Sequence, residues 1–496
     1  MDFLVLIVGV LIGALVLVLW MEQKFTYWRQ LGVPYEEPDF FYGNLKGVDQ
    51  YQHDGLLTQK FYEKFKGKGP FVGVYFFLKP VAIPTDIELV KNILIKDFNF
   101  FHDRGLYYNE RDDPLSAHLL NLQGLKWKQI RTQISPTFSS GKMKMMFTTM
   151  ARVAQKFENK IEEVCKGGAE VDAKKLMARF AVDVIGTCAF GLETNSLEDD
   201  TNEYFRLGLS VFDNPRHGTM FMMLLLAFQE YARKFRLKFF RDEVINFYTK
   251  VVRDTVRYRL ANNVERDDFM QLLIKLHTSH GKDNLSFNDL LAQAFVFHVG
   301  GVETSATTLQ FCFYELARNP DLQSEARNHI NEVLRKHNGE LTYEALKDMK
   351  YLEQVILETL RKYPPAGTLV RETTQDYKIP GTKFILEKGT CIFIPAYAIH
   401  HDPEFYPNPL KFNPENFSVE NVKDRPSASF LTFGEGPRRC IGARFGMIQV
   451  KLGVIAGLRR FRYSVSSKTK EPLKLLTKAL AIQAEGGIWL NIESMD

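Results

Sequence analysis

The stretch FLTFGEGPRRCIG, Phe430 to Gly442, sets three glycines, a proline, two arginines and one cysteine ahead of a long apolar run. A cysteine that ligates a metal with an open coordination position needs a lowered pKa, hydrogen bonds to sulfur and backbone that lets a flat group approach. This loop can supply all three. Gly434 and Gly436 permit sharp turns whose N–H groups form an anion-binding nest. Cys440 precedes IGARFGMIQVKLGVIAGLRRF, whose helical spacing puts the positive end of a helix near the sulfur. Gly442 has no β-carbon to hold a planar ring off the backbone, Phe433 can screen one side of the sulfur, and Arg438 is placed for a carboxylate.

Haem b (iron protoporphyrin IX) meets those conditions, with a flat ring, an iron needing an axial ligand and two propionates. Cysteine ligation pushes electron density toward O–O cleavage. The alternative is a glycine-rich turn before a helix with an incidental buried cysteine. Phe433-Gly434-x-Gly436-x-Arg438-x-Cys440-x-Gly442 resembles the haem-thiolate signature of the cytochrome P-450 superfamily. That resemblance implies a mainly α fold with a smaller β region, and Cys440 as the iron ligand.

Such a centre needs proton delivery on its other face, and a long helix over 286–319 carries AFVFHVGGVETSATTL at 294–309. Gly300 and Gly301 in mid-helix each cost about 1 kcal/mol relative to alanine, so the helix is expected to open locally there. Thr304, four residues on, can bond back to the Gly300 carbonyl, and Glu303 is a candidate for relaying protons through water. A kink between packed helices with a surface glutamate is the plainer alternative. GGVET resembles the superfamily's oxygen-activation motif, which makes Thr304 and Glu303 the catalytic candidates.

LETLRKYPP sets Glu358 and Arg361 three apart on one helical face and resembles the superfamily's Glu-x-x-Arg element. That element joins a buried network with a further arginine, but Asn416 in NPENF stands where an arginine often occurs. WKQIR puts Trp127 and Arg131 on one face, where the family binds a propionate; Arg371 and Arg104 are weaker candidates for that role. The pocket is expected to draw on residues 100–122, 205–228, the helix near Phe297 and His298, and Ala366 to Val370. Phe205, Phe212, Met220, Phe221, Met222 and Met223 offer it an adaptable apolar surface. Ordinary helical core is the alternative for each of them.

At the N-terminus, Phe3 to Trp20 is an uncharged, overwhelmingly apolar run long enough to span a bilayer. Asp2 precedes it where a cleavable signal would carry basic residues, and Lys24 and Arg29 follow, so the remainder is expected in the cytosol. Residues 1–30 therefore read as membrane anchor and linker, and 31–496 as one catalytic domain. Strand pairs are expected within 70–84 and 369–400, and helices over most of the rest.

The chain's 64 Lys+Arg nearly balance its 59 Asp+Glu with no basic block, so nucleic acid is not an expected partner. Five scattered cysteines without paired spacing read as reduced thiols. No GxGxxG opens a βαβ unit, so electrons must come from another protein. The resemblance, closest to the insect microsomal family six, makes that partner NADPH–cytochrome P-450 reductase, using NADPH indirectly, with cytochrome b5 as a further candidate. It also implies an endoplasmic reticulum membrane location, and a lipophilic substrate such as a plant toxin or insecticide, oxidised with O2. Lys126, Lys128, Arg439, Lys451, Arg459 and Arg460 are candidates for a basic docking face. A narrow-substrate hormone or lipid hydroxylase, a haem-thiolate isomerase or dehydratase, and a non-enzymatic haem protein are the competing readings.

Overall fold

The computed structural model describes residues 2–48, 53–167, 170–199, 201–279, 284–477 and 481–495. The helices that build the molecule are α1 (Asp2–Lys24), α2 (Asp54–Phe65), α3 (Gly124–Ile134), α4 (Ser140–Gly167), α5 (Ala173–Ile185), α6 (Glu203–Asp213) and α7 (Thr219–Ala227). They continue with α8 (Asp242–Ala261), α9 (Phe269–Thr278), α10 (Phe287–Gly301), α11 (Glu303–Arg318), α12 (Pro320–Lys336), α13 (Lys350–Lys362) and α14 (Ala443–Leu458). Strands are few: β1 (Phe71–Phe76), β2 (Lys79–Pro84), β3 (Glu170–Asp172), β4 (Leu369–Glu372), β5 (Tyr377–Lys378), β6 (Ile385–Leu386), β7 (Cys391–Ile394), β8 (Phe461–Val465) and β9 (Trp489–Ser494). The mainly helical expectation with a minor sheet component therefore holds.

α11 and α14 are buried along most of their length, and each packs on the α4–α5 layer. Glycines allow the closest approaches. A β-carbon on Gly453 of α14 would lie 2.9 Å from both Leu309 of α11 and Phe180 of α5. The main sheet has the order β1-β2-β7-β4, with β2 and β7 parallel and the other pairs antiparallel. The Phe71–Pro84 hairpin turns at Phe77, whose φ is 53°, just ahead of Lys79-Pro80. The expected β region 369–400 contains β4 to β7 but ends in a short helix, Ala396–His400. β3, β8 and β9 were not anticipated, although FRYSV and WLNIES alternate buried and exposed side chains as strands do.

α1 is exposed along almost all of its length, with a mean hydropathy of 3.1 in its most apolar window, which fits a membrane anchor. The following linker is clasped to the body: Trp28 is buried, and its indole Nε1 donates to the Val74 carbonyl at 3.0 Å.

A buried polar network ties α13 to the cysteine loop. Arg361 Nε and Nη2 reach Glu358 at 2.7 and 2.8 Å, both side chains having no solvent exposure. Arg361 Nη1 donates to the His400 carbonyl, and His400 Nε2 accepts from the Leu431 N–H at 2.7 Å. Thr432 donates to the Leu360 carbonyl at 3.0 Å. The start of the loop is therefore fastened to α13 at two points.

Asn416 takes the vacant corner of the network as a neutral donor, its Nδ2 lying 3.1 Å from both Glu358 oxygens. Tyr406 lies between Arg361 and Arg425, their guanidinium carbons 5.0 and 4.3 Å from its ring. Removing one partner of a buried pair strands the other charge at a cost of about 3–5 kcal/mol. Glu358→Ala is therefore expected to lower thermal stability by about that amount, and Asn416→Leu by about 1–3 kcal/mol. Thermal unfolding of the two variants measures both.

Candidate active site

The loop after Thr432 folds as its glycines require. Gly434 and Gly436 take φ of 66° and 70°, and a β-carbon on Gly436 would fall 1.9 Å from the Leu94 carbonyl oxygen. The Cys440 N–H donates to the Phe433 carbonyl at 2.8 Å, closing the turn so that the sulfur precedes the N-terminus of α14. Cys440 is accessible, but onto an internal cavity of about 670 Å³. Burial pushes its thiol pKa up; the Gly442 N–H and the guanidiniums of Arg131, Arg104 and Arg439 act in the opposite direction. The lowered pKa expected from the helix N-terminus is thus outweighed in the free thiol by desolvation. A bound metal would supply the missing positive charge.

The same cavity is lined by Phe433, Gly434, Arg438, Gly442, Trp127, Arg131, Arg371 and Arg104. Burial holds the guanidinium pKa of Arg104 down to about 10, of Arg371 to about 9 and of Arg438 to about 8, and lowers that of Arg131. Arg438 lies against Trp127, 3.9 Å from the ring centre, and donates to the His102 and Leu122 carbonyls at 2.7 and 2.8 Å. Its nearest carboxylate is Asp103, at 3.3 Å. Arg371 Nε is buried without a hydrogen-bond partner. Four cations desolvated around one cysteine fit a group that carries two carboxylates and a metal. Among the described residues no cluster of three or more His, Cys, Asp or Glu could cage a metal alone.

On the helix carrying GGVET, α10 and α11 are separate elements that meet at Val302 (φ −83°, ψ −67°), as the paired glycines predict. Thr304 Oγ1 donates to the Gly300 carbonyl at 2.6 Å. The glycines differ in purpose: a β-carbon on Gly301 would lie 2.3 Å from Ile185 Cδ1, whereas one on Gly300 would meet nothing within 4 Å. Gly301 admits α5, and Gly300 leaves room at the cavity wall.

Glu303 is buried rather than superficial. Its Oε1 accepts from Gln483 Nε2 at 2.7 Å and faces Lys174 Nζ at 3.6 Å, while Oε2 is buried without a partner. Lys174 in turn meets the partly exposed Asp213 at 2.5 Å. Desolvation raises the Glu303 pKa, and Lys174 opposes the shift. Lys174, Asp213 and Gln483 were not anticipated, because no local pattern connects Glu303 with residues 90 or more positions away in the chain. His118, also missed, lines the cavity with Nδ1 unpartnered and its pKa depressed to about 3 by burial.

Phe212, Met222, Phe297, Ala366 and Val370 line the cavity as expected. Others do not. Phe205 packs beneath Arg179, 4.5 Å from its guanidinium; Met220 and Met223 pack toward the β1–β2 core; Phe221 stacks on His217 at 4.2 Å. His298 turns away between α6 and α8. The basic face is also smaller than expected. Lys451 is buried on Glu353 at 2.8 Å, Lys126 pairs with Glu110 and Asp289, both at 3.0 Å, and Arg460 meets Glu158 and Glu162. Arg459 lies at the far end of α14, about 24 Å from its start. Lys128 and Arg439 remain exposed.

The family model for cytochrome P450 matches residues 33–491. The chain belongs to the cytochrome P450 family. It is 43% identical to probable cytochrome P450 6a23 of Drosophila melanogaster over the whole of both chains. It is 42% identical to cytochrome P450 6A1 of Musca domestica over 100% of this chain and 98% of that one, and 44% identical to cytochrome P450 6a2 of Drosophila melanogaster over 95% and 96%. The protein is a P450 monooxygenase, and membership implies haem with cysteine thiolate ligation. Cys440→Ser is expected to abolish the strongly red-shifted Soret band of the reduced, carbon monoxide-bound protein, read as a difference spectrum against wild type.

Proposed function

We propose that this P450 oxidises lipophilic small molecules, in particular xenobiotics such as plant toxins and insecticides, at the endoplasmic reticulum membrane. Residues 1–30 form the anchor and linker, and 31–496 the cytosolic catalytic domain. Electrons come from NADPH through NADPH–cytochrome P-450 reductase, with cytochrome b5 as a second donor. The observation that carries the oxygen-inserting reading is the pairing, across one cavity, of Cys440 with an opened helix bearing Thr304 and a buried Glu303. An isomerase or a non-enzymatic haem protein has no need of that pair.

Haem, when bound, supplies the two-electron activation of dioxygen that places one oxygen atom in the substrate and the other in water. Cys440 would hold the iron, Arg131 and Arg438 would hold propionates beside Trp127, and Arg371 would add a donor through its unpaired Nε. Phe433 and Gly434 shape the loop around the sulfur, and Gly442 offers its N–H to it. The apolar walls bind substrate and exclude bulk water. Thr304, held by Gly300, accepts a hydrogen bond at the cavity wall, and Glu303 passes protons inward after taking them from solvent by way of Asp213 and Lys174.

Glu303→Gln is expected to lower product formation by roughly 10²-fold while leaving the carbon monoxide spectrum intact. Delivery requires protonated Glu303, so turnover should fall as pH rises through its raised pKa. Lys174→Met removes the charge that favours ionisation and also interrupts the route from Asp213, so it should slow turnover and move this alkaline limb to higher pH. pH–rate profiles with reductase and NADPH measure both; an unchanged profile in both variants rejects the relay.

Lys128 and Arg439 form the remaining basic docking face for an acidic flavoprotein. Charge reversal at both is expected to slow the first electron transfer and flatten its salt dependence, measured by stopped-flow reduction.

A further inference from the structure

Asp103, in the sequence FHDRG, stands where the segments that carry the four cavity arginines come together. Its carboxylate Oδ1 accepts from the N–H of Gly124, the first residue of α3, at 2.7 Å and from Arg438 Nη2 at 3.3 Å. Its carbonyl accepts from the Glu372 N–H at 2.9 Å, which sets it beside β4. Arg104 follows it directly, Arg131 is on α3 and Arg371 on β4, so Asp103 touches every segment that brings a guanidinium to the cavity. Among the described residues it is also the one carboxylate at ion-pair distance from any of the four, and its side chain is only 13% exposed.

Three consecutive residues grip Arg438 here. The His102 carbonyl accepts from its Nε at 2.7 Å, Asp103 accepts from Nη2, and Arg104 Nη2 donates to the Arg438 carbonyl at 3.2 Å. At the start of α3, Gln123 stands in the capping position but its side chain makes no cap, and Asp103 reaches in from 21 residues before Gly124 instead. A helix N-terminus and a guanidinium both favour a charged carboxylate. That charge matters to the balance of the site. In haem the ferric iron is offset by the ring dianion and the thiolate, so two propionates facing four guanidiniums leave positive charge in excess. Asp103 offsets part of that excess from within the protein.

We propose that Asp103 is a positioning residue of the haem site: through Arg438 and the first turn of α3 it holds the propionate arginines in place, and its charge lowers the potential at which the iron accepts its first electron. The physical reason is that an added electron is favoured by nearby cations and disfavoured by a nearby anion, with more effect in a desolvated site than in water. Arg438 has no solvent exposure and Asp103 little, so dissolved salt screens this charge only weakly. The proposal rests on the haem reading of the cavity and adds to it a residue that sets when reduction occurs.

The test is a spectroscopic reductive titration of the full-length holoprotein without substrate. Asp103→Asn keeps an oxygen for the Gly124 N–H and removes the charge. It is expected to shift the reduction equilibrium about three- to tenfold toward the ferrous form, with haem content and the carbon monoxide difference band as in wild type. Tenfold is about 59 mV for one electron. Asp103→Glu keeps the charge and is expected to restore a potential close to that of wild type. A haem-loaded Asp103→Asn protein with the wild-type potential overturns the proposal, and so do equal shifts in the Asn and Glu variants, which report displaced arginines rather than charge. Asp103→Ser, which also offers an oxygen to Gly124, replaces the Asn variant if that one does not fold. A wild-type protein that takes up no haem rejects the haem reading and this proposal with it.

Discussion

The desolvation of positive charge around one cysteine is the constraint on which the rest of the structure depends. Arg104, Arg131, Arg371 and Arg438 are drawn from a loop, from α3, from β4 and from the cysteine loop itself, and each has its pKa lowered by burial. Charges in a dry site are tolerated only where rigid neighbours hold them and an anion compensates them. The surrounding scaffold meets the first condition. Trp127 backs Arg438, main-chain carbonyls take up its N–H groups, and the Glu358–Arg361–His400 chain holds the loop from behind. The second condition is the chemical case for a dianionic cofactor.

The opposing wall follows a complementary logic. An interior helix is a poor place for glycine, and this one has two in succession because packing against Ile185 and access at the cavity wall make different demands on neighbouring residues. Thr304 compensates the break locally with a single short hydrogen bond. Glu303, next to it, is kept in the protein interior by Gln483 and Lys174 with one oxygen unpaired. Desolvation raises the pKa of a carboxyl held this way, and the Lys174 charge opposes the rise.

Much of the centre was legible because its chemistry is local. The turn at Gly434 and Gly436, the position of Cys440 before α14 and the opening between Gly300 and Thr304 all depend on residues within one or two helical turns. The core fastening was half legible. Glu358 and Arg361 are one turn apart, but Asn416 completes the network from more than fifty positions away, and no spacing rule shows that an amide can replace a guanidinium there. Readings that required knowing which face of a helix is covered were the least secure. Phe205, Met220, Met223 and His298 suit an apolar pocket by composition, yet neighbouring helices turn them elsewhere. Lys126 and Lys451 read as free cations until their carboxylate partners are seen.

By itself, then, the sequence determined an apolar anchor segment, a largely helical body, the thiolate loop and the helix with the acid–alcohol pair, since each is encoded in short-range periodicity or in glycine and proline placement. Only the tertiary structure decided that four distant arginines share one cavity with Cys440 and that Glu303 is buried with a route through Lys174 and Asp213 to the surface. It also decided that Asp103 meets both Arg438 and the start of α3. The physical reason is that burial and charge pairing are properties of the assembled packing, which brings together residues whose separation along the chain carries no record of their contact.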